Sequence, residues 1–189
     1  MKINEIFYSL QGEGHFAGTP AVFVRFSGCN LACGFCDTDH RRGEEWGEEA
    51  VVAEVLRHPA RHVVLTGGEP ALQATASLVD KLHRAGCYVQ METNGTCAAA
   101  AEVGVDWITC SPKDAPVRLA RIDELKVVFL GQDLGFCSRL PRAKVYCLQP
   151  CDTKDAAGNA EITRETIEYV KSHPQWKLSL QTHKLLGFR

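Results

Sequence analysis

Three cysteines stand close together in the segment SGCNLACGFCDTD, at Cys29, Cys33 and Cys36. Their spacing, Cys-x3-Cys-x2-Cys, lets three thiolates converge on one centre. A structural zinc ion usually takes four protein ligands, and besides His40 the neighbouring sequence offers no obvious fourth one. A [4Fe-4S] cluster held by three cysteines instead leaves one iron open to a substrate or cofactor. The triplet therefore favours an iron–sulfur cluster, with a zinc knuckle or three incidental core cysteines as the alternatives.

The elements that would position this triplet are short buried strands, because apolar and β-branched residues recur in runs along the chain. The runs cover residues 21–26, 62–66, 87–91, 106–110, 125–130, 144–148 and 177–181. Helical spacing predicts helices over 47–57 and 72–85, and polar residues predict a surface turn over 152–159. Alternating strands and helices indicate right-handed βαβ units in a parallel sheet. A closed eight-stranded barrel usually needs about 250 residues, so we expect an α/β fold that is an incomplete parallel β/α barrel of about six strands.

The composition and net charge of the chain limit the classes of function that it can have. The chain has 45% hydrophobic and 23% charged residues, and no apolar run approaches the roughly 20 residues of a membrane span. Lys plus Arg number 21 against 23 Asp plus Glu, without a basic block, which argues against nucleic acid as a direct partner. The N-terminal segment lacks the pattern of a secretory signal, so we expect one cytoplasmic domain over 1–189. Its nine cysteines would then be reduced, which favours metal binding or redox chemistry.

The triplet, with Phe35 directly before its third cysteine, resembles the signature of the radical S-adenosylmethionine (SAM) superfamily. The resemblance implies a barrel of the radical SAM type and a [4Fe-4S] cluster on Cys29, Cys33 and Cys36. It also implies that the open iron chelates the amino and carboxylate groups of SAM. An electron from an external low-potential donor, passed through the cluster, would cleave SAM to methionine and a 5'-deoxyadenosyl radical. Such centres reach low potentials, and a buried site keeps a radical away from water.

A loop that resembles the superfamily's GGEP element follows the second predicted strand, as Thr66-Gly67-Gly68-Glu69-Pro70. Glycine lets the backbone approach a ligand closely, and the Glu69 carboxylate is suited to the ammonium group of SAM. A plain turn into a helix is the alternative, because Pro70 suits a first helical turn. Together the superfamily elements give the expected SAM contacts: Phe35, Cys36, Asp37, Gly67, Gly68, Glu69, Ser111, Pro112, Lys113, Gln149, Pro150, Cys151 and Asp152. The last seven lie in two loops that would otherwise be ordinary turns.

The opening stretch EIFYSLQGEGHFAGTPAVFVRFSGCNLACGFCDTDH resembles that of the 7-carboxy-7-deazaguanine synthases, radical SAM enzymes of queuosine precursor biosynthesis. Matching segments continue in order and spacing to QTHK at residues 181–184. The resemblance implies a lyase that converts 6-carboxy-5,6,7,8-tetrahydropterin into 7-carboxy-7-deazaguanine. In this reaction the radical removes hydrogen from C6, the ring contracts and ammonia leaves. The alternatives are another radical SAM enzyme, such as one that installs a glycyl radical on a partner protein, and a zinc-stabilised binding module.

The implied substrate carries a carboxylate and an aminopyrimidinone edge, and the chain offers groups for both. Arg25, inside a predicted strand, would hold the carboxylate with a two-pronged charge-assisted pair, unless it forms a structural salt bridge. Backbone groups of Leu10, Gln11 and Gly12, together with Thr66, would meet the pterin edge. These five residues are the expected contacts of the pterin ring and its acid group.

Four more residues complete the candidates for the site. The free carboxylate of Arg189 is expected to accept hydrogen bonds from the pterin, and His183 is either a site residue or a core histidine. Glu13 and Glu92 are candidates for proton transfer. The six cysteines outside the triplet are expected to be small buried hydrophobic residues, with a second cluster at the last two of them as the alternative.

Two further expectations concern a metal ion and a second copy of the chain. Thr38 matches the position where the family places a Mg²⁺ ion beside the substrate carboxylate. Mg²⁺ prefers an octahedron of oxygen ligands and usually keeps waters, so one hydroxyl with substrate oxygens and water would complete its shell. The alternative is that the Thr38 hydroxyl caps a turn. An open barrel also leaves sheet edges that a homodimer would cover.

Overall fold

The computed structural model describes residues 1–36 and 38–189, and its strands form one sheet. In chain order the strands are β1 (Lys2–Leu10), β2 (Pro20–Phe26), β3 (Glu44–Glu45), β4 (His62–Gly67), β5 (Tyr88–Thr93), β6 (Trp107–Cys110), β7 (Glu124–Phe129), β8 (Val145–Pro150) and β9 (Trp176–Leu178). Their order across the sheet is β3-β1-β2-β4-β5-β6-β7-β8-β9. Neighbours from β2 to β9 are parallel, and β1 is antiparallel to β2 and β3. Within the described chain β3 and β9 do not pair, so the barrel is incomplete, as predicted.

The helices of the described chain are α1 (Glu48–Leu56), α2 (Ala76–Arg84), α3 (Ala156–Ser172) and α4 (Thr182–Leu186). Helix α2 begins where the Thr75 side chain accepts a hydrogen bond from Leu78 N, and it buries Leu78, Val79 and Leu82. Each such side chain contributes about 2 kcal/mol when it leaves water. Among the described residues, no helix is long and apolar enough to cross a membrane.

The sequence predicted the parallel strands β2 and β4 to β8 within a few residues of their observed bounds. The strand predicted over 177–181 is misplaced, because the last strand, β9, covers Trp176–Leu178. The helix predicted over 72–85 begins later, since a short 3-10 helix over Pro70–Leu72 comes first. The surface turn predicted over 152–159 is wrong for its second half, which is the beginning of helix α3. There the Asp155 side chain accepts a hydrogen bond from Gly158 N and starts α3.

Alternate residues on the parallel strands face opposite sides of the sheet, which separates an apolar core from a polar interior. On β5, Val89 and Met91 belong to the apolar core, whereas Gln90 donates from Nε2 to Glu92 Oε1 at 2.8 Å. Buried polar groups cost free energy unless they are hydrogen-bonded or paired. The polar side chains inside the barrel therefore have to form a connected network, and this network positions the site described next.

Candidate active site

Two cavities meet inside the barrel at the carboxyl ends of its parallel strands, where ligands gather in folds of this kind. The larger cavity, about 600 Å³, is lined mainly by β1, β2 and the C-terminal segment. The smaller cavity, about 210 Å³, is lined by the cysteine loop and by the loops after β4, β5, β6 and β8. Five residues line both cavities, and we call them the shared wall: Glu13, Thr66, Glu92, Lys126 and Lys184.

The three cysteines of the triplet line the smaller cavity, on the loop that follows β2. All three are free thiols. Over the described residues, no three His, Cys, Asp or Glu side chains lie close enough to hold a single metal ion, and His40 does not line this cavity. The three thiols share one cavity, and no fourth ligand for a structural zinc ion from the cysteine loop lines it beside them among the described residues. This arrangement suits a [4Fe-4S] cluster held by three cysteines.

Asn94, on the loop after β5, connects to the cysteine loop. Its Nδ2 lies 3.0 Å from Asn30 Oδ1 and 4.0 Å from Cys29 Sγ, and Leu31 N lies 3.4 Å from the same sulfur. Hydrogen bonds to cysteine sulfur orient the ligand and influence the reduction potential of a cluster. Sequence reasoning missed Asn94, although its segment Glu92-Thr93-Asn94-Gly95 stands directly after a predicted strand.

The GGEP loop packs directly against the cysteine loop. A side-chain carbon at Gly68 would overlap the carbonyl oxygen of Gly28, and Glu69 N donates to that same oxygen at 2.9 Å. Gly67 has a φ of 119°, a backbone conformation that favours glycine. Both glycines of the GGEP loop line the smaller cavity. The two loops therefore approach each other as closely as their backbones allow.

Glu69 lines neither cavity, and its predicted contact with the ammonium group of SAM stays a prediction. The residue is fully buried, and its carboxylate accepts hydrogen bonds from Ala71 N at 3.0 Å, Thr93 Oγ1 at 2.7 Å and Asn94 N at 2.7 Å. Burial raises the pKa of Glu69, and these hydrogen bonds oppose the shift. The side chain caps the short helix after the GGEP loop and ties it to the loop after β5.

The other predicted SAM contacts lie around the smaller cavity. Lys113 Nζ donates to Ser111 Oγ at 2.7 Å and lies 5.3 Å from the centre of the Phe35 ring. Burial lowers the pKa of Lys113. Pro112 does not line the cavity, and Asp37 lies outside the described residues. The predicted residues that do line it are Phe35, Cys36, Gly67, Gly68, Ser111, Lys113, Gln149, Pro150, Cys151 and Asp152.

All six predicted substrate contacts line the larger cavity, together with Thr38: Leu10, Gln11, Gly12, Arg25, Thr66 and Arg189. The Arg25 guanidinium donates from Nε to Glu5 Oε1 at 2.8 Å and from Nη1 to Thr38 Oγ1 at 3.4 Å. The salt bridge considered as an alternative for Arg25 therefore exists, and the residue still faces the cavity. Sequence reasoning missed Glu5, which stands opposite Arg25 in the antiparallel pairing of β1 with β2.

Arg189 reaches the same carboxylate as Arg25. Its guanidinium pairs with the second oxygen of Glu5 and lies 4.7 Å from the centre of the Phe7 ring. The Ser9 hydroxyl donates to the main-chain oxygen of Arg189. The sequence argument considered only the carboxylate of Arg189, whereas the structure also brings its side chain to the cavity. Two guanidinium groups thus stand at one end of the larger cavity.

The segment Gln11-Gly12-Glu13 is held by the start of α4. Thr182 donates to Gly12 O from its backbone nitrogen at 2.9 Å and from Oγ1 at 2.8 Å. Gln181 Nε2 donates to Glu13 Oε1 at 2.8 Å. A side-chain carbon at Gly12 would overlap the ring of His183, which lines the larger cavity. His183 is therefore placed beside the candidate site and not in the apolar core.

The shared wall contains a buried lysine between two acidic residues. Lys126 Nζ lies 2.8 Å from Glu13 Oε2 and 3.0 Å from Glu92 Oε2. Burial alone would raise the pKa of Glu13, but the Lys126 ammonium and its hydrogen bonds lower it to about 2. Burial raises the pKa of Glu92, and Lys126 opposes the shift. Sequence reasoning missed Lys126, although a lysine inside the apolar run LKVVF is the signal that marks it.

The cysteines outside the triplet follow their predicted role in part. Four are buried, namely Cys87, Cys110, Cys147 and Cys151, whereas Cys97 and Cys137 are only partly so. Burial raises the pKa of Cys110 and of Cys147 to about 12, so both thiols stay protonated at neutral pH.

A cysteine-lined cavity at the open end of an incomplete β/α barrel is the arrangement of one class of protein, and the model of the Radical SAM superfamily matches residues 23–126. The 7-carboxy-7-deazaguanine synthase of Bacteroides thetaiotaomicron is 51% identical over 189 residues, covering 100% of this chain and 98% of that protein. The synthase of Burkholderia multivorans is 44% identical over 210 residues, covering 98% and 97%. The crystal structure of QueE from Escherichia coli matches with a TM-score of 0.76 at 32% identity, covering 96% and 94%. The chain therefore belongs to the radical SAM superfamily and, within it, to the 7-carboxy-7-deazaguanine synthases.

Proposed function

We propose that this protein is a 7-carboxy-7-deazaguanine synthase, which converts 6-carboxy-5,6,7,8-tetrahydropterin into 7-carboxy-7-deazaguanine and ammonia. The observation that carries the proposal is the shared wall between two cavities, one lined by the cysteine triplet and the other by paired arginines. A radical formed on one side of this wall stands next to a substrate on the other side. Similarity to synthases over the whole chain supports the same assignment.

The smaller cavity would hold the cofactors. The three thiols of the triplet would bind a [4Fe-4S] cluster, and the backbone of Gly67 and Gly68 would receive the ammonium end of SAM. Lys113, a half-buried cation that donates to Ser111, suits the carboxylate of SAM. The loops after β6 and β8 supply donors and acceptors for the nucleoside. When bound, cluster and SAM together supply a carbon radical that removes a hydrogen atom from the substrate.

The larger cavity would hold the pterin. Arg25 lines the cavity while Glu5 holds its Nε and Thr38 its Nη1, so the guanidinium is fixed for a charge-assisted pair with the substrate carboxylate. Backbone groups of Leu10, Gln11 and Gly12 would meet the aminopyrimidinone edge. The reacting edge of the pterin would then lie next to the shared wall and face the smaller cavity, with water excluded on both sides.

A magnesium ion, an electron donor and a second protomer extend the proposal. The Thr38 hydroxyl, close to Arg25, would bind Mg²⁺ together with the oxygens of the substrate carboxylate and water. The whole chain, 1–189, would act as one cytoplasmic domain, since the nine strands of the described residues join one sheet and no disulfide links the described cysteines. The exposed triplet residue Cys36 would face an external low-potential donor. A homodimer would cover the edge strands β3 and β9.

The proposal is tested by anaerobic reconstitution with iron and sulfide, followed by incubation with the pterin, SAM and dithionite. We expect 7-carboxy-7-deazaguanine, identified by mass, and equimolar ammonia. The reconstituted protein should be brown, whereas a zinc protein would be colourless. Cleavage of SAM without any conversion of the pterin would contradict the proposal.

A further inference from the structure

Lys126 is the charged centre of the shared wall, and it belongs to neither the cysteine loop nor the pterin contacts. Its side chain, on β7, is only 7% exposed. The ammonium reaches across the barrel to Glu13, after β1, and to Glu92, on β5. Because all three residues line both cavities, their charges face whatever fills either one.

Both oxygens of each carboxylate in this trio accept a hydrogen bond. Gln181 Nε2 holds the second oxygen of Glu13 at 2.8 Å. Gln90 Nε2 holds the second oxygen of Glu92 at 2.8 Å, and Gln11 Nε2 lies 3.3 Å from it. The three glutamine amides come from different segments of the chain. The polar interior of the barrel is therefore organised around the ammonium group of Lys126. Removing this group would leave two buried carboxylates without the cation between them, an arrangement that destabilises the site or displaces one of them.

We propose that Lys126 is a positioning residue of the reaction, which fixes the Glu13 and Glu92 carboxylates at the junction of the two cavities. The ammonium thereby keeps the reacting edge of the pterin in line with the hydrogen-abstracting group on the other side of the wall. This inference rests on the proposed function. A merely structural ion pair would stabilise the barrel and leave the alignment unaffected, so the two roles differ in what a charge-balanced variant does.

The measurable consequence is a loss of coupling between SAM cleavage and product formation. Misplacement of a reacting group by about 1 Å costs roughly 100-fold in rate. Lys126 donates to Glu13 and Glu92 and makes no described contact with the cysteine triplet, so the cluster should assemble without it, and SAM cleavage is followed separately as 5'-deoxyadenosine. We therefore expect the ratio of 7-carboxy-7-deazaguanine to 5'-deoxyadenosine to fall by about 100-fold.

The experiment compares K126M with the charge-balanced double variant K126M/E13Q, each reconstituted anaerobically beside wild type and E13Q. The matched control is K177M, which removes an exposed lysine from β9. For every protein, iron content, thermal unfolding, 5'-deoxyadenosine and product are measured at saturating pterin. Wild-type conversion of the pterin is the condition on which the comparison rests, and its failure would overturn the proposed function and this inference together.

The inference is supported if K126M/E13Q folds, keeps its cluster and cleaves SAM, yet loses coupling beyond any loss seen in E13Q alone, while K177M couples like wild type. It is overturned if K126M/E13Q gives the same ratio of 7-carboxy-7-deazaguanine to 5'-deoxyadenosine as E13Q, because the ion pair is then only structural. If both methionine variants fail to fold, K126R decides, since it keeps the charge and changes its geometry. Wild-type coupling in K126R overturns the inference, and uncoupled SAM cleavage in a folded K126R supports it.

Discussion

Replacing Arg25 with Met tests the substrate side of the site most directly, because Met keeps an apolar stem and removes the guanidinium. Truncating one partner of a buried charge pair costs about 2 to 5 kcal/mol. The Arg25 and Glu5 side chains are 22% and 27% exposed, so solvent screens their charges in part. We therefore expect the lower end, about 2 kcal/mol, which is roughly a 30-fold rise in the Kd of the pterin.

The fold should tolerate this change. Glu5 keeps its second partner, Arg189, and a half-exposed ion pair contributes about 1 kcal/mol or less to stability. Calorimetric titration of the SAM-loaded enzyme with 6-carboxytetrahydropterin measures the affinity, and Arg57→Met, at an exposed site just after α1, is the matched control. An Arg25→Met protein that binds the pterin as wild type does would refute the assignment of this residue. SAM cleavage without substrate should continue in both variants.

The remaining predictions concern the cluster, the metal ion and the loop before β2. Cys33→Ala should lose the cluster of about four irons, whereas Cys137→Ala should keep it, as iron and sulfide analysis would show; a full cluster in Cys33→Ala contradicts the ligand assignment. Thr38→Val, which keeps the shape and removes the oxygen, should lose the stimulation of turnover by Mg²⁺, and a wild-type response would place the ion elsewhere. Gly14→Ala should lower thermal stability more than Gly104→Ala. Both have positive φ, which costs about 1–2 kcal/mol, but only at Gly14 would the new carbon overlap a buried carboxylate; equal losses would show that the overlap relaxes freely.

The parallel strands were predictable because both of their faces are covered, which selects continuous apolar runs. Strand β1 was missed, since Lys2–Leu10 mixes charged and apolar residues and most of it is only half-buried. Helix α3 was missed for a related reason. Its sequence is largely polar, and Thr166 is the one member described as buried, so it carries little apolar periodicity.

The motif residues were predictable because spacing and chemistry identify them without knowledge of the fold. Glu5 was not, since a single charge in a strand acquires meaning only when strand register shows what it faces. The lysine within LKVVF signals a buried charge at Lys126, but it does not show that Glu13 and Glu92 are its partners. The Glu69 carboxylate shows a different limit. The sequence locates its turn, but the direction of its side chain is set by Thr93 and Asn94, which approach from a separate loop.

The contacts that close the larger cavity join segments that lie far apart along the chain. Gly12 meets Thr182 across 170 positions, and Ser9 meets Arg189 across 180. The smaller cavity depends on nearer contacts, such as that of Glu69 with Thr93 across 24 positions. Distant contacts form late in folding, and short terminal helices fray first. We therefore expect amides of α4 to exchange with solvent faster than those of β4 and β5 and to be protected by the pterin, so that product escapes by local fraying of α4 while the parallel sheet stays assembled.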